Sequence, residues 1–343
     1  MKKLLNTLFV TTQGAYLAKE GETIQVRVEQ ETRLQVPIHT LAGVVCFGQV
    51  SVSPFLLGMC AEHGVGVSFL SERGRFLARM QGPVSGNVLL RREQYRRADD
   101  ERQATTLACS FVLGKLANCK TVLLRAVRDH GEKPGSTDLE AAAHRLRASI
   151  TQVQAADSLE RVRGIEGEAA LTYFGVFDAL ITGEKEAFFF RGRNRRPPLD
   201  NVNCLLSFVY TLLAHDVASA LETVGLDPAV GFLHRDRPGR PGLALDVMEE
   251  LRPVLADRLV LSLINLGMIK SKGFSASESG GVRMDDDTRK EVLVAYQKRK
   301  QEEMVHPFLE EKVPLGMLPF IQALLLARHL RGDVEAYPPF LWR

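Results

Sequence analysis

Thr23-Ile24-Gln25-Val26-Arg27-Val28-Glu29 alternates polar and apolar side chains with a period of two, the pattern of a half-buried strand. Reading outward, Gly14, Gly21, Gly43, Gly48, Gly64, Gly66, Gly74 and Gly82 punctuate the chain at turn-like spacing. Val65 and Val67 to Leu70 suit a buried strand, and Ser71 to Arg75 a tight turn after it. Between strands, SPFLLGMCAEHG (53–64) predicts one short helix, with Ser53 as N-cap and Pro54 in the first turn. The opening MKKLLNTLFVTTQGAYL sets two lysines before an apolar stretch, as a secretory leader does. Asn6 and Thr7 break that stretch and no small-residue cleavage site follows, so it reads as a first strand.

After residue 88 glycine thins out, and alanine, leucine, arginine and glutamate take over, as helices favour. Residues 128–140 (RDHGEKPGSTDLE) form a connector, with Thr137 or Asp138 placed to cap the next helix. A β-like excursion is expected at Val282-Arg283-Met284, and Asp285, Asp286 and Asp287 open a helix whose dipole favours acids. The fold class is α+β: a small β-rich N-terminal domain (1–85) followed by a larger all-α domain (86–343).

Composition excludes more than it selects. The 343 residues are 45% hydrophobic and 25% charged, ordinary for a soluble chain of two domains. No uninterrupted apolar run reaches the roughly 18 residues of a membrane span. Five cysteines without a close CxxC pair argue against a disulfide framework or structural zinc, and for a reducing cytoplasm. The net charge of +3 carries no global signal for nucleic acid, but the arginines are clustered. Arg91, Arg92, Arg96 and Arg97 flank Tyr95; Arg191, Arg193, Arg195 and Arg196 precede Pro197-Pro198; Arg235, Arg237 and Arg240 follow His234. These are candidate phosphate contacts. Lys298, Arg299 and Lys300 read instead as a solvated face.

Two segments carry candidate chemistry. Glu166 stands between Gly164 and Gly167 at the expected beginning of a helix, where a carboxylate ordinarily caps. Farther on, an apolar stretch delivers His234 to a loop rich in Arg, Gly and Pro, followed by a helix with Asp246 and Glu249. Three apart, those two acids share a face set among Leu243, Leu245, Val247, Met248 and Leu251. Acids there are expensive unless paired or metal-bound. Glu250, about 100° round the helix, is expected in solvent or paired with Arg252 or Arg240. Carboxylates with one imidazole suit Mg²⁺ or Mn²⁺, which activates a hydroxyl for in-line attack on a phosphodiester. The absence of HExxH and of a second histidine nearby argues against a zinc hydrolase. The other histidines read as local hydrogen-bonding groups. The tail Tyr337 to Trp342 is open between packing on its own domain and docking a partner.

The blocks GIEGEAALTYF (164–174), FRGRNRRPPLDNVNCLLSFVYTLL (190–213), LDPAVGFLHRDRPGRPGLALDVMEELRPVLADRLVLSLIN (226–265) and GGVRMDDDTRKEVLVAYQKRK (280–300) resemble the CRISPR-associated protein one family. The resemblance implies a β-sandwich-like N-terminal domain, a helical catalytic domain, and strand transfer in which a 3′-hydroxyl attacks a CRISPR repeat boundary. It implies Glu166, His234 and Glu249 as metal ligands with Asp246 as supporting acid. The arginines of both loops, Arg191, Arg193, Arg195, Arg196, Arg235, Arg237 and Arg240, are read as DNA contacts. It further implies a homodimer joined by a small ferredoxin-like companion, the second CRISPR-associated protein. A non-catalytic DNA-binding scaffold is the other reading.

Overall fold

The computed structural model describes residues 6–72, 76–80, 82, 88–130, 135–278 and 280–342. The first residues of the expected leader-like strand, the tip of the turn at 71–75 and part of the 128–140 connector lie outside these residues.

The N-terminal strands are β1 (Asn6–Val10), β2 (Tyr16–Glu20), β3 (Thr23–Val28), β4 (Glu31–Pro37), β5 (Leu41–Phe47) and β6 (Ser51–Val52). Helix α1 (Pro54–Glu62), β7 (Gly66–Leu70) and β8 (Phe76–Met80) follow. Alternation works as expected in β3, where Ile24 and Val26 are buried. Gly21, at φ +56°, makes the tight β2–β3 reversal that a side chain resists. One four-stranded sheet runs β4-β3-β2-β6 and the other β1-β5-β7-β8. In the second, β1, β5 and β7 are parallel and β8 returns antiparallel.

Period two gives β5 two duties. Val44 and Cys46 point into a core shared with Leu17, Ile24 and Leu56, while Val45 and Phe47 point into the core of the helical body. Phe47 meets Phe208 there, ring centroids 6.0 Å apart. At the same seam Ser68, fully buried on β7, hydrogen-bonds His215 Nδ1 at 2.9 Å.

The helical body begins with α2 (Val88–Asp99), α3 (Glu101–His130), α4 (Ser136–Gln154), α5 (Leu159–Gly175) and α6 (Asn201–Thr223). It continues with α7 (Gly242–Arg252), α8 (Arg258–Asn265), α9 (Asp286–Gln301) and α10 (Leu318–Arg331). α3 packs on α4, α5 and α7, and α6 on α7 and α10. By length and composition α3 and α6 would pass for membrane spans, but 61% of each apolar window is buried in the fold. They are core helices.

The body is not purely helical. β9 (Phe274–Ala276) pairs with β10 (Val282–Met284), the expected excursion. β11 (Glu303–Val305) pairs with β12 (Lys312–Pro314), strands too short to leave a readable pattern. Ser53 caps α1 through Leu56 N–H at 3.2 Å and Asp285 caps α9 through Thr288 N–H at 2.8 Å. Neither Thr137 nor Asp138 caps α4, because Gly135 stands at its N-cap and both fall inside the first turn. The 298–300 cluster is no solvated face throughout, since Lys300 is buried and pairs with Asp216 at 2.8 Å.

A candidate metal centre in an arginine-lined cleft

Loop 230–242 and α7 are pressed together where neither carries a side chain. A Cβ on Gly231 would meet Gly242 C at 2.7 Å, and one on Gly242 would meet Ala229 O at 2.7 Å. This approach brings three successive amides onto one carboxylate. Phe232 and Leu233 N–H donate to Asp246 Oδ2 at 2.6 and 3.0 Å, and His234 N–H donates to Oδ1 at 3.0 Å. His234 Nδ1 lies 2.6 Å from the same Oδ1. A carboxylate acceptor there fixes a hydrogen on Nδ1 and leaves Nε2 as the ring nitrogen free of the Asp246 contact. Asp246 is wholly buried and its oxygens are fully engaged.

Glu249 follows one turn later on the same face and is also buried. Its Oε1 accepts from Arg252 at 2.8 Å. Its Oε2 lies 2.7 Å from Lys115 Nζ, in a geometry that makes no hydrogen bond. Burial opposes its charge, but Arg252, Lys115 and His234 outweigh burial and hold its pKa down at about 2. Lys115, on α3, also donates to Glu166 Oε1. Burial works against the ammonium as well, yet Glu249 and Glu166 keep its pKa above the ordinary lysine value.

Glu166 does not cap a helix. α5 starts at Leu159, so Glu166 sits in its middle, and Gly164 and Gly167 are interior glycines. Each costs about 1 kcal/mol against alanine. A Cβ on either would meet nothing within 4 Å, so the glycines leave the helix bare toward open space. Arg163, one turn before Glu166, donates to Leu233 O at 2.7 Å and ties α5 to the histidine loop.

Glu166, His234 and Glu249 therefore line one open cleft of about 2470 Å³, together with all seven loop arginines. Arg195, Arg196 and Arg237 are exposed, and Arg240 is partly so. Arg191 lies over the Phe189 ring at 5.1 Å, and Arg235 pairs with Glu160 at 2.7 Å. Arg193 is the inward member: it donates to Asn203 Oδ1 at 2.7 Å and Ser207 Oγ at 3.1 Å and faces the Tyr210 ring. Of the α2 group, Arg97 binds Glu93 and the carbonyl of Leu330, away from the cleft.

Among the described residues, no three carboxylate, imidazole or thiol groups are closed around one point as a finished metal sphere. The donors nevertheless suit a hard divalent ion: two carboxylates, one with an oxygen lacking a directed partner, and an imidazole whose far nitrogen is held by an acid. Lys115 Nζ stands between the carboxylates.

Sequence reasoning missed three residues here. Lys115 lies on the stripe Phe111, Val112, Leu116 and Cys119, and a lysine on an apolar helical face was the available signal. Arg252 grips Glu249 and stacks on Tyr210 at 4.7 Å. Asp257, in the π-helical turn Pro253–Asp257, accepts from Tyr210 at 2.5 Å and Tyr173 at 3.1 Å; burial nonetheless raises its pKa. Glu250 corrects an expectation. It is fully buried and pairs with neither Arg252 nor Arg240, because Tyr337 O–H, Phe340 N–H at 2.7 Å and Gln322 Nε2 at 3.2 Å surround it. Those contacts also settle the tail, which packs on its own domain: Asn118 bonds Phe340 O at 2.9 Å and Trp342 N at 2.7 Å.

The family model described as CRISPR associated protein Cas1 matches residues 8–298. The chain belongs to the Cas1 family. It is 60% identical over 343 residues, all of both chains, to CRISPR-associated endonuclease Cas1 1 of Chlorobaculum tepidum. Among solved structures it shares the Cas1 fold with a casposase bound to integration product, at TM-score 0.82 and 22% identity, covering 99% of this chain and 95% of that one. A chain of a Cas6-RT-Cas1–Cas2 complex aligns at TM-score 0.83 and 22% identity, over 100% of this chain and 36% of that one.

Proposed function

We propose that this chain is a divalent-metal-dependent DNA endonuclease and integrase that inserts foreign fragments into a CRISPR array. The observation that carries the reading is the set of Glu166, Glu249 and an Asp246-held His234 in one arginine-lined cleft. Glu166, His234 and Glu249 would hold Mg²⁺ or Mn²⁺. When bound, such an ion lowers the pKa of an attacking hydroxyl and offsets charge on the phosphate. Asp246 is the supporting acid, not a ligand, since four N–H groups already engage its oxygens. Exposed Arg195, Arg196, Arg235 and Arg237 and half-buried Arg240 hold the phosphate backbone, while Arg193 shapes the wall from within. In strand transfer the 3′-hydroxyl of the captured fragment loses its proton and forms a new P–O bond at the repeat boundary. The bond from that phosphorus to the 3′-oxygen of the flanking strand breaks, leaving a free 3′-hydroxyl there. Hydrolysis uses water in the same position. The names of the relative and of the two structural neighbours support nuclease action, integration and assembly with Cas2. A homodimer bridged by a small ferredoxin-like Cas2 in the cytoplasm completes the proposal.

Glu166→Ala, His234→Ala and Glu249→Ala are each expected to abolish strand transfer into a repeat-bearing plasmid while DNA affinity stays within a few-fold. A Glu166→Ala protein that integrates at the parental rate would refute the proposal. The Lys115 bridge is what favours the other reading, a DNA-binding scaffold with structural acids. That reading gains if excess chelator changes no strand cleavage or joining.

A further inference from the structure

Helix α3 presents one lysine along a stripe that otherwise faces the core, and its side chain is 7% exposed. Its Nζ contacts Glu166 on α5 and lies 2.7 Å from Glu249 on α7. An ammonium is a compact point charge on a flexible stem, suited to lie between two carboxylates and to leave them. A divalent ion gripped by both carboxylates needs their oxygens at about 2.0–2.6 Å, which is the space Nζ takes. Two cations do not share such a gap without strong repulsion. Glu249 would not be stranded by the departure, because Arg252 holds its other oxygen. The open cleft beside Glu166 gives the stem room to swing.

We infer that Lys115 is the internal counter-ion of the metal centre, bridging Glu166 and Glu249 in the metal-free protein and released from at least one of them when the ion enters. The inference rests on the metal-centre reading above. It makes Lys115 a competitor of the metal, opposite in sign to a residue that helps to hold it.

Mn²⁺ is titrated calorimetrically into the full-length parent, Lys115→Met and Glu166→Gln, with thermal melts with and without Mn²⁺. Lys115→Met is expected to bind Mn²⁺ about tenfold tighter or more, since a charge at contact distance has been removed. Its metal-free Tm should fall below the parent's, and its rise on adding Mn²⁺ should be larger. Glu166→Gln should lose binding. Equal or weaker Mn²⁺ affinity in Lys115→Met, with binding still lost in Glu166→Gln, overturns the counter-ion role and leaves the metal centre standing. If parent and Glu166→Gln bind alike, or none of the three proteins binds, the metal centre itself is wrong and the inference falls with it. Should Lys115→Met fail to fold by circular dichroism, Lys115→Gln takes the same titration.

Discussion

Asp246 accepts three backbone amides and an imidazole while touching no solvent. Asparagine would present an amide N–H₂ where only donors point, so the loop must shift and the imidazole loses its fixed tautomer. Asp246→Asn is therefore expected to weaken Mn²⁺ binding by about 10–100-fold in calorimetry, with the circular dichroism spectrum retained. Parental affinity would show that the backbone alone orients His234. Much of this candidate site was legible from residue types: two acids on an apolar face, one histidine at a loop edge, arginines around the same cleft. Lys115 was not, because a lysine in a helix is ordinarily solvated and its partners lie on α5 and α7, far off in sequence. Glu250 escaped for the same reason, its partners arriving from α10 and the tail.

At the scale of elements, the C-terminal tail serves as a buttress. It closes on α3 and α7 directly behind the cleft, through Asn118 and Glu250. Burial raises the Glu250 pKa to about 7, against the pull of its Tyr337, Phe340 and Gln322 hydrogen bonds. Removing one of those donors leaves a buried acid short of a partner. Tyr337→Phe is expected to cost about 1.5–3 kcal/mol, read as a lower urea midpoint at unchanged slope. An unchanged midpoint would mean that the tail merely rests on the surface it covers. Strand β3 was readable because it buries alternate residues, Ile24 and Val26. The start of α5 was misplaced because paired glycines look like a boundary. In the fold they face open space, where no neighbour penalises the missing side chains and only backbone entropy is lost.

For the whole molecule, the seam between sheet and helices is where solution conditions act. His215 is half-buried there, bonded to the fully buried Ser68. Burial lowers its pKa, Asp216 opposes that, and Lys300 and Arg79 reinforce it. A histidine kept neutral in the fold takes its proton first in the unfolded chain. Stability is thus full above the unfolded value of about 6.5 and falls as pH drops through it. Urea unfolding between neutral and mildly acid pH should show a steeper loss for the parent than for His215→Gln; parallel curves would remove the seam from the acid response. That a β-rich region would give way to a helical one was plain from the shift in composition near residue 88. That one sheet would feed both cores was not, since alternation reports two faces without saying what covers each.

Arg163 laces α5 to the carbonyl beside His234, and Asp246 laces that loop to α7. The three donor-bearing segments are thus already anchored to one another. On the proposed metal-centre reading nothing would have to fold around an incoming ion, and loading would need only side-chain rotation, with no wait for one half of the protein to swing against the other.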